Sequence, residues 1–337
     1  MCLEEITYLL ERFPTIRILV LGDFMLDEFL WGNITRISPE APVPVLAVTR
    51  RQRTLGGAGN VVKNLRSLGI QVSTVAITGN DITGKVIARK LSRIGADVQV
   101  VLAERRVSTR KTRLMSIEHG RQVFRFDRET HEPIAPETEQ QAIEHLRAMA
   151  GQAQAILCSD YLKGALTGPL LRAAIEVGQN RSIPVVISPK GSEASRYRGA
   201  GVLIHNQREL ELLSGVTING DESFVTAARK ALALIETQSL LVTRSAKGMS
   251  LFHQSQDGVT ESHIPTLARS VYDVTGAGDT AASVFTAGVA AGADHKTAAT
   301  LANLAAGIVV AKRGTAVVNT AEILERAHED MGSRRLS

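Results

Sequence analysis

Short apolar runs that end in polar or glycine residues recur along the chain, and stretches of helical periodicity separate them. IRILVLG (16–22), VSTVAITG (72–79), AILCSD (155–160), IPVVIS (183–188), GVLIHN (201–206) and SLLVTR (239–244) read as strands. They are continuously apolar and do not alternate, which marks strands buried on both faces and hence a parallel sheet. Helical patterns lie over 57–68, 82–94, 136–149, 168–178 and 222–235, and two long alanine-rich helices are predicted at 278–291 and 296–312. This alternation predicts an α/β sandwich. Two segments break it. One is 33–50, with Pro39, Pro42 and Pro44; the other is 97–127, where VQVVLAE, TRKTRLMS and RQVFRFD have the pattern of solvent-facing strands. Together they predict one small β lid over the sheet edge. No repeat or linker divides the chain, so a single domain (1–337) carrying that lid is expected.

Composition narrows the function classes. The 337 residues are 44% hydrophobic, enough for a large buried core. Thirty-nine Lys and Arg against 34 acids give +5, a diffuse balance that suits anionic small molecules and gives no basic stripe for nucleic acid. Cys2 and Cys158 form no CxxC pair and the eight histidines form no ligand cluster, so disulfides and structural zinc are not expected. MCLEEITYLLERF has early acids and helical amphipathicity, unlike a signal peptide. No apolar run approaches the roughly 18 residues of a membrane span, and the expected location is the cytoplasm.

In an open parallel sheet, ligands gather at the carboxyl ends of the strands. The polar residues there are Asp23 and Asp27, Asp160, Lys190, Asn206 and Glu209, and Arg244 and Ser245. GNDITGK (79–85) has P-loop spacing, but Val86 stands where a magnesium-binding Ser or Thr is required, so it reads as a strand-to-helix turn. In LGGAGNVVKNL (55–65), Gly56, Gly57 and Gly59 precede Asn60 at a helix start. Such glycines let a ligand approach the backbone, and the Asn amide can serve hydroxyls; helix capping is the plainer alternative.

DVTGAGDT (273–280) carries the most specific chemistry. A helix beginning near Gly278 turns its unpaired N–H groups and positive dipole end toward the glycine turn, making an anion site. Asp279 in the first turn is then either a helix cap or a base that takes the proton of an attacking alcohol while the N–H groups hold a transferring phosphoryl group.

These residues, with GGAGN, the NxxE of NQRE (206–209) and DVTGAGD, resemble the ribokinase/PfkB sugar kinases over nearly the whole chain. GDFMLDEFLWG, RISPEAPVPV, SDYLKGAL, PKG, RYRGA and VYDVTGAGDT are similar in particular to the members that act on D-glycero-β-D-manno-heptose 7-phosphate. The resemblance implies a ribokinase-like three-layer α/β/α sandwich with a mainly parallel central sheet and a β lid. It implies ATP-dependent phosphorylation of the anomeric O1 to give the 1,7-bisphosphate, a step toward the ADP-heptose of lipopolysaccharide. Another PfkB-type sugar kinase, or a catalytically silent sugar-phosphate sensor on the same fold, are the alternatives.

Carried over by position, the resemblance makes Asp279 the base and Gly276, Ala277 and Gly278 the anion hole with it. Asn206 and Glu209 would organise magnesium, largely through water, and the nucleotide phosphates. Thr243, Ser245, Gly248 and Asn303 would line the nucleotide pocket. Asp27, Gly56, Gly57 and Asn60, with Asp23 beside them, would hold sugar hydroxyls. Arg110 and Lys111, among the basic lid residues, would meet the sugar phosphate together with Lys190 at the end of the VVIS strand, and Asp273 and Thr275 with the loop near Gly314 would take potassium. The expected partners are a sugar phosphate, ATP and a second copy joined through the lid, with no nucleic acid and no membrane. The chain contains no HxGH-type nucleotidyltransferase motif up to Ser337, which resembles the single-function kinase. It departs from its relatives' Asp-Pro-Lys-Gly at Ser188, and from their Thr-Pro-Asn at Ile204 and His205.

Overall fold

The computed structural model describes residues 1–256 and 258–335. In chain order its strands are β1 (Arg17–Gly22), β2 (Phe24–Ile37), β3 (Pro44–Gly57), β4 (Gln71–Gly79), β5 (Asp97–Ala103), β6 (Thr109–Ser116), β7 (Gln122–Arg128), β8 (Ala155–Asp160), β9 (Val185–Pro189), β10 (Val202–Asn206), β11 (Ser239–Thr243), β12 (Met249–Ser255) and β13 (Gly258–Ile264). The helices are α1 (Leu3–Arg12), α2 (Ala58–Ser67), α3 (Ile82–Arg93), α4 (Pro136–Met149), α5 (Gly168–Arg181), α6 (Gln207–Ser214), α7 (Asp221–Ile235), α8 (Ala277–Ala290), α9 (His295–Val309) and α10 (Thr320–Arg335).

Among the described residues, nine strands form one sheet in the order β13-β12-β11-β10-β9-β8-β1-β4-β5. It is parallel from β11 to β5, and β12 and β13 add an antiparallel edge. The apolar runs behave as continuous burial requires. In β1, Ile18 and Val20 enter a core with α1, α2, α8 and α9, while Leu19 and Leu21 enter a second core with α4, α5, α6 and α7. Each strand thus feeds both outer layers, and the result is a three-layer sandwich. The alanines of α8 let it lie close to its neighbours: a Cβ added at Gly288 would stand 3.0 Å from the Cβ of Ala298 in α9.

The lid is a separate sheet in the order β3-β2-β6-β7. Its composition corrects the sequence expectation in two ways. Residues 97–103 are not lid but the parallel edge of the main sheet, paired with β4 from Ser73↔Asp97 to Gly79↔Ala103. The lid begins earlier, at Phe24, because β2 runs on from β1 with only Asp23 between them. An edge strand and a lid strand both leave one face wet, so the two carry the same in–out pattern. The antiparallel pair β12–β13 and helix α10 have no counterpart among the predicted elements. No helix among the described residues is long and apolar enough to cross a membrane.

Candidate active site

Helix α8 starts where the backbone can turn only at glycine. Gly276, its N-cap, has φ +88°, a left-handed conformation that a side chain would strain, and a Cβ there would also approach Asn60 Nδ2 at 3.1 Å. Ala277 N–H turns back to the carbonyl of Val274 (3.2 Å), which removes it from the expected anion hole. The N–H groups of Gly276, Gly278 and Asp279 have no acceptor among the described residues. Three donors and the positive end of a 14-residue helix therefore converge on the space beside Asp279.

Asp279 does not cap that helix with its side chain. Its Oδ2 accepts from Asn60 Nδ2 and its Oδ1 from the Tyr161 hydroxyl, both at 2.8 Å. Burial raises its pKa above the ordinary carboxylate value. The bonds from Asn60 and Tyr161 and the charge of Lys190 oppose that rise, and Asp27 adds to it. Asn60 is held in turn by the packing of α2 on α8, where Thr280 Oγ1 donates to Asn64 Oδ1 (2.9 Å) and Asn64 Nδ2 donates to the Asn60 carbonyl (2.9 Å). In this structure Asn60 thus positions the acid, and Tyr161 does so from the opposite side. Tyr161 was absent from the sequence-derived set, although it directly follows Asp160 at the carboxyl end of β8, where a ligand-facing residue belongs.

One cavity of about 640 Å³ joins Asp279 to the far end of the sheet. Tyr161, Ser188, Lys190, Asn206 and Glu209 line its polar half, and Thr243, Ser245, Gly248, Asn303 and Val310 the other. Most of the residues predicted to meet a nucleotide are therefore together. Asn303 is the exception in role: its Nδ2 donates to the Pro265 carbonyl (2.7 Å), so it braces the wall. Asn206 and Glu209 form a reciprocal capping box at α6, with Asn206 Oδ1 accepting from Glu209 N–H and Glu209 Oε2 from Asn206 N–H, each at 2.8 Å. Glu209 Oε1 is left for Lys190 Nζ at 2.6 Å. Burial works against ionisation of Glu209, but the Lys190 ammonium and the Asn206 N–H, both within hydrogen-bond distance, oppose it, and its pKa is brought down to about 2. His205 is fully buried, 3.7 Å from Glu209 Oε2, and neither ring nitrogen makes a hydrogen bond. Lys190 therefore stands on the Glu209 side of the cavity, at the strand end where the sequence puts it, with its ammonium 5.6 Å from the Tyr161 ring centroid.

Asp27 sits on the lid face toward Asp279. Its Oδ1 accepts from Arg113 (2.6 Å), and Gly56 is so close that a Cβ there would stand 2.2 Å from Oδ2. Gly57 lies beside the Asp23 carbonyl. Asp23 itself is not presented to the cleft. It is 2% exposed and accepts backbone N–H bonds from Tyr161, Lys163 and Ala165, so it fixes the loop that delivers Tyr161. Lys111 lies on the cleft face but is already paired with Asp127 and Glu129, each at 3.0 Å. Arg110, one residue away, projects to the opposite face and so leaves the predicted sugar-phosphate set. Asp273 ties two loops together, accepting from Thr275 N–H (2.9 Å) and Gly314 N–H (3.0 Å). Burial resists its ionisation, and those donors overcome it and hold its pKa below the ordinary value.

A carboxylate held by two side chains beside an open helix end, at one extremity of a long polar-to-apolar cavity, defines a phosphotransferase that uses an alcohol acceptor. The chain belongs to the pfkB family of carbohydrate kinases, whose model matches residues 16–322. "Bifunctional protein HldE" of Citrifermentans bemidjiense is 47% identical over 322 residues, covering 95% of this chain and 65% of its own length. The protein of the same name from Geotalea uraniireducens is 46% identical over 335 residues, covering 98% and 67%. The chain thus spans about two thirds of the length of these curated relatives. Among solved structures, phosphofructokinase-2 from Escherichia coli in complex with potassium superposes with a TM-score of 0.78 at 18% identity, over 93% of this chain and 99% of that one. Arabidopsis thaliana ribokinase complexed with ribose and ATP gives 0.71 at 19%, over 93% and 98%. At that identity the likeness is one of fold, which is ribokinase-like.

Proposed function

We propose that this carbohydrate kinase transfers the γ-phosphate of ATP to the anomeric hydroxyl of D-glycero-β-D-manno-heptose 7-phosphate, giving the 1,7-bisphosphate that leads to ADP-heptose. The observation that carries the phosphotransfer is Asp279, held by Asn60 and Tyr161 beside the open N–H groups of α8. The sugar oxygen would approach Asp279 from the lid side, where Asp27 and Arg113 can order its hydroxyls. The nucleotide would lie along the cavity with its base in the half near Val310 and its terminal phosphate between Lys190 and the α8 end. Asn206 and Glu209 would hold a hydrated magnesium ion, which when bound neutralises phosphate charge.

The heptose assignment rests on the 47% identity to a protein named HldE, and the cations of the lid's cleft face, each paired with a carboxylate, would have to exchange that partner for the sugar phosphate. Among these, Arg113 and Lys111 stand on β6 and Arg125 on β7, with Lys63 of α2 opposite them. Lys63 donates to Asn60 Oδ1 (3.4 Å); burial brings its pKa below the ordinary lysine value, and the charges of Asp27 and Asp279 only partly oppose that fall. An anionic substituent remote from the reacting hydroxyl suits that face. The name HldE is that of bifunctional proteins longer than this chain, and the reading here concerns phosphotransfer alone. Potassium would lie at the loops joined by Asp273, whose carboxylate, fixed by the Thr275 and Gly314 N–H groups, is a hard oxygen donor. A second copy would meet the lid, which exposes Ile37, Val43, Val48, Phe124 and Phe126.

The test is a kinase assay across free and phosphorylated sugars, with the product position assigned by NMR. The expected result is a strong preference for the 7-phosphate and a new phosphate on O1. Equal kcat/KM for heptose with and without its 7-phosphate would remove the substrate assignment and leave the carbohydrate kinase.

A further inference from the structure

Asp27 and Glu28 are adjacent on β2, so they face opposite sides of the lid sheet. Asp27 looks into the cleft. Glu28 looks outward, over the turn that opens α3, where a second cavity of about 690 Å³ separates the outer lid face from residues 80–85. The lid supplies a wall of guanidinium groups: Arg51 and Arg53 from β3, Arg110 from β6 and Arg128 from β7. The body of the molecule contributes Lys85.

The charges in this cavity are not matched. Glu28 takes Arg51 at 2.6 Å and Arg53 at 2.7 Å. Arg110 Nε is 3.9 Å from the same carboxylate, beyond hydrogen-bond reach, and that buried nitrogen has no acceptor. Asp81 is committed elsewhere, its two oxygens accepting from Gly84 N–H (2.8 Å) and Ser108 N–H (3.0 Å), and Arg128 comes only to 4.0 Å. Lys85 has no ion pair among the described residues. Five cations minus two carboxylates leave three positive charges in one concavity. The other face of the same sheet shows that the lid can balance its charge: Lys111 and Arg125 there are paired with Asp127 and Glu129. Like charges gathered around an open concavity repel, though water screens them, and the buried Arg110 donor without an acceptor is costly, so an anion would relieve both.

We infer that this cavity is a second anion site, outside the cleft, for a small ligand carrying one or two phosphoryl groups. Arginine forks from three lid strands would grip it on one side and Lys85 on the other, so that occupancy ties the lid to the body of the protein. The inference uses no residue that the proposed function gives to the acceptor sugar or the nucleotide, since Arg110, expected from the sequence at the sugar phosphate, faces this cavity instead, and it stands whichever sugar is phosphorylated.

Inorganic pyrophosphate is the probe, titrated calorimetrically into the whole chain without magnesium, with and without saturating ADP. The expected result is binding that persists with ADP present. It should weaken by at least about tenfold in Lys85→Gln/Arg128→Gln, the loss of one charge-assisted contact or more. Both side chains lie at the surface, and an unchanged melting temperature and ADP affinity would show that the variant is folded; Lys85→Gln alone serves if it is not. Displacement of pyrophosphate by ADP would place the anion in the nucleotide cavity and overturn the inference. So would equal affinity in wild type and folded variant, or no binding at all, the result expected if acids of a second copy already fill the cavity.

Discussion

Asp279→Asn separates chemistry from architecture with one atom changed. The wild-type carboxylate accepts from Asn60 on one oxygen and from Tyr161 on the other. In the variant, the amide oxygen can still accept from Asn60 Nδ2, and the new NH₂ can donate to Tyr161 if the tyrosine hydroxyl turns from donor to acceptor, which a phenol allows. The position and the helix start are thus preserved. Nor should the fold lose stability. Asp279 has a folded pKa above its unfolded value, so the protonated form is favoured in the fold, and its contribution declines as pH rises from the unfolded value through the folded one. At neutral pH the neutral amide avoids that cost. What is lost is the proton acceptor, worth about 10² to 10⁴ in rate, or roughly 2.7 to 5.4 kcal/mol of barrier. The carboxylate must be ionised to act, so wild-type kcat should also fall as pH drops through the raised pKa of Asp279. The assay is ADP release across pH, with nucleotide binding and melting temperature measured on the same samples. Full turnover in folded Asp279→Asn would refute the assignment, as would a loss of activity that merely tracks a fall in melting temperature.

Tyr161→Phe removes a donor that lowers the pKa of Asp279, so the acid limb of the pH–rate profile should move to higher pH, with a loss of about tenfold or less on its plateau; an unmoved limb would make the tyrosine a packing residue. Glu209→Gln keeps an acceptor for the Asn206 N–H but leaves Lys190 without its anion, so the magnesium midpoint should rise several-fold and kcat fall while the melting temperature holds. A magnesium titration identical to wild type would confine Glu209 to helix capping. Arg113→Met strands the buried Asp27 carboxylate and should raise the sugar KM by about 10- to 100-fold, the value of a lost charge-assisted bond, without changing the ATP KM. Equal changes in both constants would indicate general loosening of the lid.

The parallel strands were legible because burial on both faces writes an uninterrupted apolar word, as in Ile18 to Leu21, which two cores share. The edge strand β5 was not, because DVQVVLA exposes one face and looks like any half-wet strand; only its hydrogen bonds to β4 assign it. The residues at the carboxyl edge of the sheet were found as a set by the geometry of open sheets. Their pairings were out of reach, since Lys190 and Glu209 are 19 positions apart and Arg113 and Asp27 are 86 apart. Those pairings changed roles: Lys190 moved from the sugar phosphate to Glu209, Asp23 became the support of the 161–165 loop, and Arg110 left the cleft by the alternation of β6.

Capping and chemistry had stood as rival readings of Asp279, and the same rivalry attaches to the NxxE segment; the geometry shows that they need not compete. Glu209 spends one oxygen on the α6 box and is ionised down to a pKa of about 2, so at any working pH it presents a fixed negative charge on the other. With the cavity open to water, Lys190 answers that charge at 2.6 Å. A polyphosphate entering beside the α8 end would compete for the same ammonium, and Glu209 would then need a second cation. The cap fixes where that need arises to within the precision of a helix start. A capping box therefore places the anion, and the proposed divalent-ion dependence would arise at that anion, which is why Glu209→Gln should alter the magnesium titration and not the melting curve.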